Sequence, residues 1–183
     1  MEKPSWRRRA STFVVDSPHM RLRVDELELP NGTIVPDYYV RESHGFVMAF
    51  PVTPDDRIVL VRQYRYGTDA IHLELPAGTL DDGEDPLDCA RRELLEETGY
   101  EAPYWEYVGS YYPEPARATS KARIFLATGA RRVGEPELDP TEVMEVELAT
   151  FGEFRAMLAD GSIDAGHAIV AGYRCLEKLG KLG

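Results

Sequence analysis

"RRELLEETGY", Arg91 to Tyr100, is the stretch on which the reading of this chain turns. Glu93, Glu96 and Glu97 sit inside residues that otherwise read as good helix. Their numbers are related as i, i+3 and i+4, so a helix projects all three from one face. Like charges at that spacing cost an isolated helix roughly a few tenths of a kcal/mol per pair. A chain that keeps them together has a use for concentrated negative charge.

The helix has clear punctuation. Asp85 is placed to cap its N-terminus, and Pro86 suits the first helical position. Gly99 suits the left-handed residue after the last turn. Leu87, Ala90 and Leu94 form its apolar stripe, with the glutamates beside it. Upstream, "GFVMAFPV" (Gly45–Val52) and "RIVLVRQYR" (Arg57–Arg65) read as buried strands joined by a "PDD" turn, and "IHLELPAG" (Ile71–Gly78) as a short strand ending at a Pro/Gly break. Residues 12 to 42 read as antiparallel strands, with a hairpin joint at Asn31-Gly32. Downstream, "WEYVGSYY", "ARIFLATG" and "EVMEVELA" read as strands. Thr150 and Glu153 form a capping box for a following helix, and a last helix runs from about Asp164, as its cap, to Lys178. The mixture implies an α/β (α+β) sandwich rather than strict βαβ alternation.

Composition narrows the function. The chain has 183 residues, enough for one well-buried domain with additions or two small ones. A net charge of −11 argues against a nucleic-acid partner, which would need a basic surface. No run approaches the roughly 18 apolar residues of a membrane span. The basic start, "MEKPSWRRRA", is not followed by an apolar segment, so a secretory signal is not expected. Cys89 and Cys175 are too few for a disulfide framework, and a reduced, cytoplasmic protein is expected.

Clustered carboxylates make sense if a hard divalent cation neutralises them. Magnesium takes oxygen ligands, a few carboxylates with water and substrate phosphates in the remaining positions. The full spacing is more specific than the cluster: Gly78, five residues, Glu84, seven residues, Arg92-Glu93-Leu94, one residue, Glu96-Glu97, one residue, Gly99-Tyr100. This resembles the complete signature of the Nudix hydrolases, every fixed position included, with Leu94 and Tyr100 in the apolar positions. The resemblance covers roughly residues 12 to 180. "GFVMAFPVTPDDRIVLVRQYRYG…LELPAGTLDDGE" is similar to the first half of the core of the ADP-ribose pyrophosphatase branch, and "DGSIDAGHAIVAGYRCL" to its C-terminal helix. Pro115 stands 16 positions after Gly99, where a proline marks that branch. The branch usually has Ser-Pro-Gly there, whereas this chain has Glu114-Pro115-Ala116.

The resemblance implies a Nudix α/β/α sandwich with a mixed central sheet over residues 45–183. It implies an N-terminal antiparallel β arm over residues 1–44, through which a homodimer forms. The implied reaction is metal-dependent hydrolysis of the pyrophosphate bond of a nucleoside diphosphate derivative, with ADP-ribose giving AMP and ribose 5-phosphate. Mg²⁺ is the expected cofactor, with Mn²⁺ as the alternative. By the same resemblance Glu93 and Glu97 are the main metal ligands, Glu96 is a further ligand or a polariser of metal-bound water, and the Ala77 carbonyl is an additional ligand. Arg92 holds the loop through Glu84. The general base comes from "ELDPTEVMEVEL", with Glu142 first and Glu145 second. Arg65, Arg41 and Arg62 are the phosphate candidates, Pro115 belongs to the substrate loop, and Phe46, Tyr111 and Tyr112 are aromatic faces for a base.

His19, His44, His72 and His167 have no metal-ligand spacing, and Cys89 has no nucleophile pattern around it. Two other readings stand beside the first. A Nudix pyrophosphatase for a GDP- or UDP-sugar, a dinucleotide or NADH is kept open by the altered loop at Glu114–Ala116. A non-catalytic ligand-binding module would predict an eroded box and an attached DNA-binding segment, and here the box is intact.

Overall fold

The computed structural model describes residues 5–140 and 142–183, and the chain divides into two compact units. The first runs through Gly45 and also takes in Tyr112–Lys121. Its sheet is antiparallel, in the order β1 (Arg7–Ser17), β2 (Met20–Glu28), β3 (Ile34–Glu42). The expected hairpin is present. Gly32 takes φ 83°, which glycine adopts at little cost, and the Asn31 side chain accepts the Thr33 N–H at 3.1 Å. The first strand begins at Arg7, earlier than the sequence suggested, because "RRRAST" lacks an alternating apolar signal. Segment 112–121 lies along β3. The Arg41 N–H donates to the Arg117 carbonyl at 2.8 Å, Thr119 N–H to the Arg41 carbonyl at 3.0 Å, and the Tyr38 hydroxyl to the Ala116 carbonyl.

The second unit is built on a seven-stranded mixed sheet. Its strands are β4 (Phe46–Val52), β5 (Arg57–Arg65), β6 (Ala70–Glu74), β7 (Ala77–Thr79), β9 (Tyr104–Tyr111), β10 (Ala122–Thr128) and β12 (Met144–Thr150). β8 (Tyr100–Glu101) and β11 (Arg131–Arg132) form a separate two-residue pair. The sheet order is β12-β5-β4-β10-β9, with β10 parallel to β4, β6 added on β5 and β7 added on β4. "IHLELPAG" therefore makes two strands rather than one. Pro76 has no N–H to continue a ladder, and its carbonyl instead accepts from Ala49 at 2.9 Å.

Alternation along the strands gives each face of the sheet its own helices. Met48, Phe50, Ile58 and Leu60 pack with Phe154 of α2 (Phe151–Asp160) and with Ala171, Cys175 and Leu176 of α3 (Gly166–Lys178). Val47, Ala49 and Val59 pack on the other side with Ala90 and Leu94 of α1 (Pro86–Thr98). This is the expected α/β/α sandwich. The capping box of α2 is present in both directions. The cap of α3 corrects the sequence reading. Ala165 occupies it without a side-chain bond, because the Asp164 carboxylate is taken up by His72 Nδ1 at 2.6 Å. No helix among the described residues is long and apolar enough to cross a membrane.

Candidate active site

Helix α1 fixes the site. Asp85 accepts the N–H groups of Leu87 and Asp88, and Gly99 closes the helix at φ 71°. Burying Leu94 and Ala90 orients the helix so that the glutamates meet β7 and its flanking loop. Glu97 is 4% exposed, and its Oε2 accepts the Ala77 N–H at 3.0 Å. Gly78 makes the approach feasible, since a Cβ there would lie 1.8 Å from Cδ of Glu93.

Arg92 ties the cluster to the preceding loop. Its Nε and Nη2 donate to the two oxygens of Glu84 at 3.0 and 3.3 Å, while Nη1 donates to Glu93 at 2.7 Å and Glu96 at 3.0 Å. Glu84 also accepts the Asp81 N–H at 3.1 Å, closing the turn. The Arg92 guanidinium, with that N–H, holds the Glu84 carboxyl down at about 2. The planar fork of arginine suits this multiple pairing.

The charge at the cluster is not balanced. Burial pushes Glu97 up to about 8, and the neighbouring Glu93 and Glu142 add to the rise against the Ala77 N–H and Arg65. Glu93 is also raised, by burial first, with Glu96 and Glu142 adding and Arg92 opposing. Among the described residues no three acidic, histidine or cysteine side chains already stand at metal-ligand spacing, since Arg92 engages Glu93 and Glu96. The donor set is nonetheless that of a hard cation: carboxylate oxygens only, partly desolvated and mutually repelling. The residues present fit such an ion.

The other predicted residues are distributed as follows. Glu142 is half-buried, within the field of Glu93 and Glu97, and its carboxylate accepts the Asp139 N–H at 3.1 Å. Arg65 lies near Glu97 and Glu142, and chelates Glu74 at 3.1 and 2.6 Å. Arg62 and Glu145 are register partners on the opposite face of β5 and β12, where Arg62 donates to Glu147. Arg41 and Pro115 belong to the first unit, where Arg41 meets Glu114 at 3.5 Å. Tyr112 is in that unit too, under the Lys121 ammonium, whereas the rings of Phe46 and His167 meet edge to face. The Tyr111 hydroxyl and Gln63 Oε1 are buried without a hydrogen-bond partner among the described residues.

Glu74 escaped the sequence reading. It is 2% exposed, accepts from Arg65 and His167, and is held at about 2 against the opposing pull of burial by those two partners. A signal existed: an acid between Leu73 and Leu75 in an apolar strand is a buried charge that requires a cation.

Residues 43–169 match the family model described as the NUDIX domain, and residues 6–40 match the nucleoside diphosphate sugar hydrolase N-terminal domain. A methanol dehydrogenase activator of Bacillus methanolicus is 33% identical over 83% of this chain and 82% of its own length. An ADP-ribose pyrophosphatase of Bacillus subtilis is 37% identical over 70% of each chain. A solved structure described as an ADP compounds hydrolase superposes with a TM-score of 0.83 at 24% identity, covering 99% of this chain and 98% of that one, which shows a shared fold. Such a match spans most of a chain whose box folds into loop, capped helix and carboxylate face, and it leads to one conclusion: this chain belongs to the Nudix hydrolase family.

Proposed function

We propose that this protein hydrolyses ADP-ribose to AMP and ribose 5-phosphate. Supporting this is the acidic cluster of Glu93, Glu96, Glu97 and Glu142 with Arg65 beside it: carboxylates to hold a cation and a guanidinium to meet phosphate. Nudix hydrolases generally use a divalent metal, and the all-oxygen donor set suits Mg²⁺, with Mn²⁺ as the alternative. When bound, that ion polarises phosphoryl oxygens and favours ionisation of water.

Glu93 and Glu97, with Glu96 and the Ala77 carbonyl, would hold the ion. Glu142 accepts the proton of the attacking water. The water oxygen bonds to one phosphorus, the bridging P–O bond breaks, and its electron pair leaves with the departing phosphate. Arg65 offsets the charge that develops there. Arg92 keeps the Glu84 loop against the helix.

A second reading is another sugar nucleotide. It draws support from the match of residues 6–40 and from Glu114-Pro115-Ala116 in place of Ser-Pro-Gly. We also infer a cytoplasmic homodimer that pairs through the arm, whose strand β1 leaves Phe13, Val14 and Val15 exposed.

Phosphate-coupled turnover of ADP-ribose, ADP-glucose, GDP-mannose, UDP-glucose, NADH and diadenosine polyphosphates tests the reading, run with Mg²⁺, with EDTA and with Glu97→Gln. Preference for ADP-ribose, lost in EDTA and in the variant, supports it. Preference for a different nucleotide retains the chemistry and moves the specificity to the Pro115 loop. No turnover of any substrate refutes the reading and favours a ligand-binding module.

A further inference from the structure

We propose that Glu74 is a positioning residue that fixes the Arg65 guanidinium beside the acidic cluster, so that it is aimed before substrate arrives. The inference rests on the reading of Arg65 as a phosphate contact. Arg65 is the last residue of β5, and its side chain is 45% exposed, too open for packing alone to hold a long side chain. Glu74 closes the fork: Nε donates to Oε1 at 3.1 Å and Nη2 to Oε2 at 2.6 Å. A bidentate pair fixes the plane of the guanidinium as well as its place.

The anchor is itself fixed. The Glu74 side chain is 3% exposed, and His167, at the start of α3, meets Oε2 at 3.3 Å. The His167 ring stands edge-on to Phe46, with centroids 6.1 Å apart. A second tie joins the same elements: His72 of β6 meets Asp164, just before α3, at 2.6 Å. That tie is exposed at Asp164 and reaches Thr68 at 2.6 Å, not Arg65. Among the described residues two ties therefore link β6 to the start of α3, and the buried one grips Arg65.

The guanidinium faces opposing attractions. Glu97 and Glu142 also draw it, and a loose Arg65 would fold onto the carboxylates and oppose cation binding. Glu74 keeps it chelated from behind. Displacing a charge-stabilising group by about 1 Å costs on the order of 10²-fold in rate.

A double-mutant cycle on kcat/KM tests this. Glu74→Gln is expected to lower kcat/KM by about 10- to 100-fold in the wild-type background and by less than about twofold in Arg65→Ala. Glu74→Asp, which keeps the charge but shortens the reach, is expected to lose activity with a near-normal melting temperature. Asp164→Ala removes the acceptor of the other tie and is expected to leave kcat/KM within about twofold. Equal losses in both backgrounds would overturn the positioning role and leave the Arg65 reading intact. Near-normal kcat/KM in Arg65→Ala would overturn the Arg65 reading, and the proposal with it. Should both Glu74 variants fail to fold, ¹⁵N relaxation of the Arg65 side-chain Nε–H in the free wild-type protein decides: a rigid signal supports the proposal, and a mobile one overturns it.

Discussion

Glu97 is a carboxylate that its own fold discourages from ionising. Its ordinary value of 4.5 rises to about 8 through burial and through Glu93 and Glu142. A raised acid means that the folded state binds more protons than the unfolded one across that window. Its contribution to stability is thus full below pH 4.5 and is lost as pH rises toward about 8. The metal-free protein should lose thermal stability over this window, and Glu97→Gln in EDTA should exceed wild type in melting temperature at pH 8. Mg²⁺ should raise the wild-type melting temperature more at pH 8 than at pH 5. Calorimetry at both values checks this, and a variant less stable than wild type at pH 8 would refute it. Glu142→Gln should lower kcat by roughly 10²- to 10⁴-fold, the range for a general base, with an unchanged melting temperature. At this scale the cluster was legible because one helix carries Glu93, Glu96 and Glu97 at fixed spacing. Glu74 was signalled only as a buried charge by Leu73 and Leu75; its partner His167 stands 93 positions away, and no local pattern encodes such a contact.

At the scale of the element, α1 joins stability to chemistry through its ends and one glycine. Asp85→Ala removes an acceptor from the Leu87 and Asp88 N–H groups and should cost about 1 kcal/mol in urea unfolding. Gly78→Ala should behave differently. The added Cβ meets a flexible carboxylate rather than backbone, so Glu93 moves and the fold persists. The expected result is a near-normal circular dichroism spectrum with a Mg²⁺ requirement raised about tenfold or more, since displaced ligands weaken metal sites by that order. The helix was legible because capping residues act within a turn of where they stand. Segments set by tertiary bonds were harder. β1 reaches Arg7 through its ladder to Glu28, and Asp164 gives up its cap for an imidazole from another strand.

At the scale of the molecule, an acidic chain carries an arm with Trp6, Phe13, Val14, Val15 and Met20 all at least 38% exposed. β1 is also the end strand of its sheet, and strand edges with apolar neighbours attract partners. Light scattering should give twice the 20.6 kDa chain mass at micromolar concentration, and Val14→Asp should shift the protein toward monomer. A monomeric wild type would refute the arm's role. The same arm sets a limit on cutting the protein apart. Segment 112–121 is threaded between β9 and β10 in sequence, yet its backbone bonds go to Arg41. A fragment starting after residue 44 would keep Arg117 and Thr119 but lose the strand they bond to. In engineering terms the arm is not a detachable module, and swapping it between relatives would require exchanging two stretches of gene, not one.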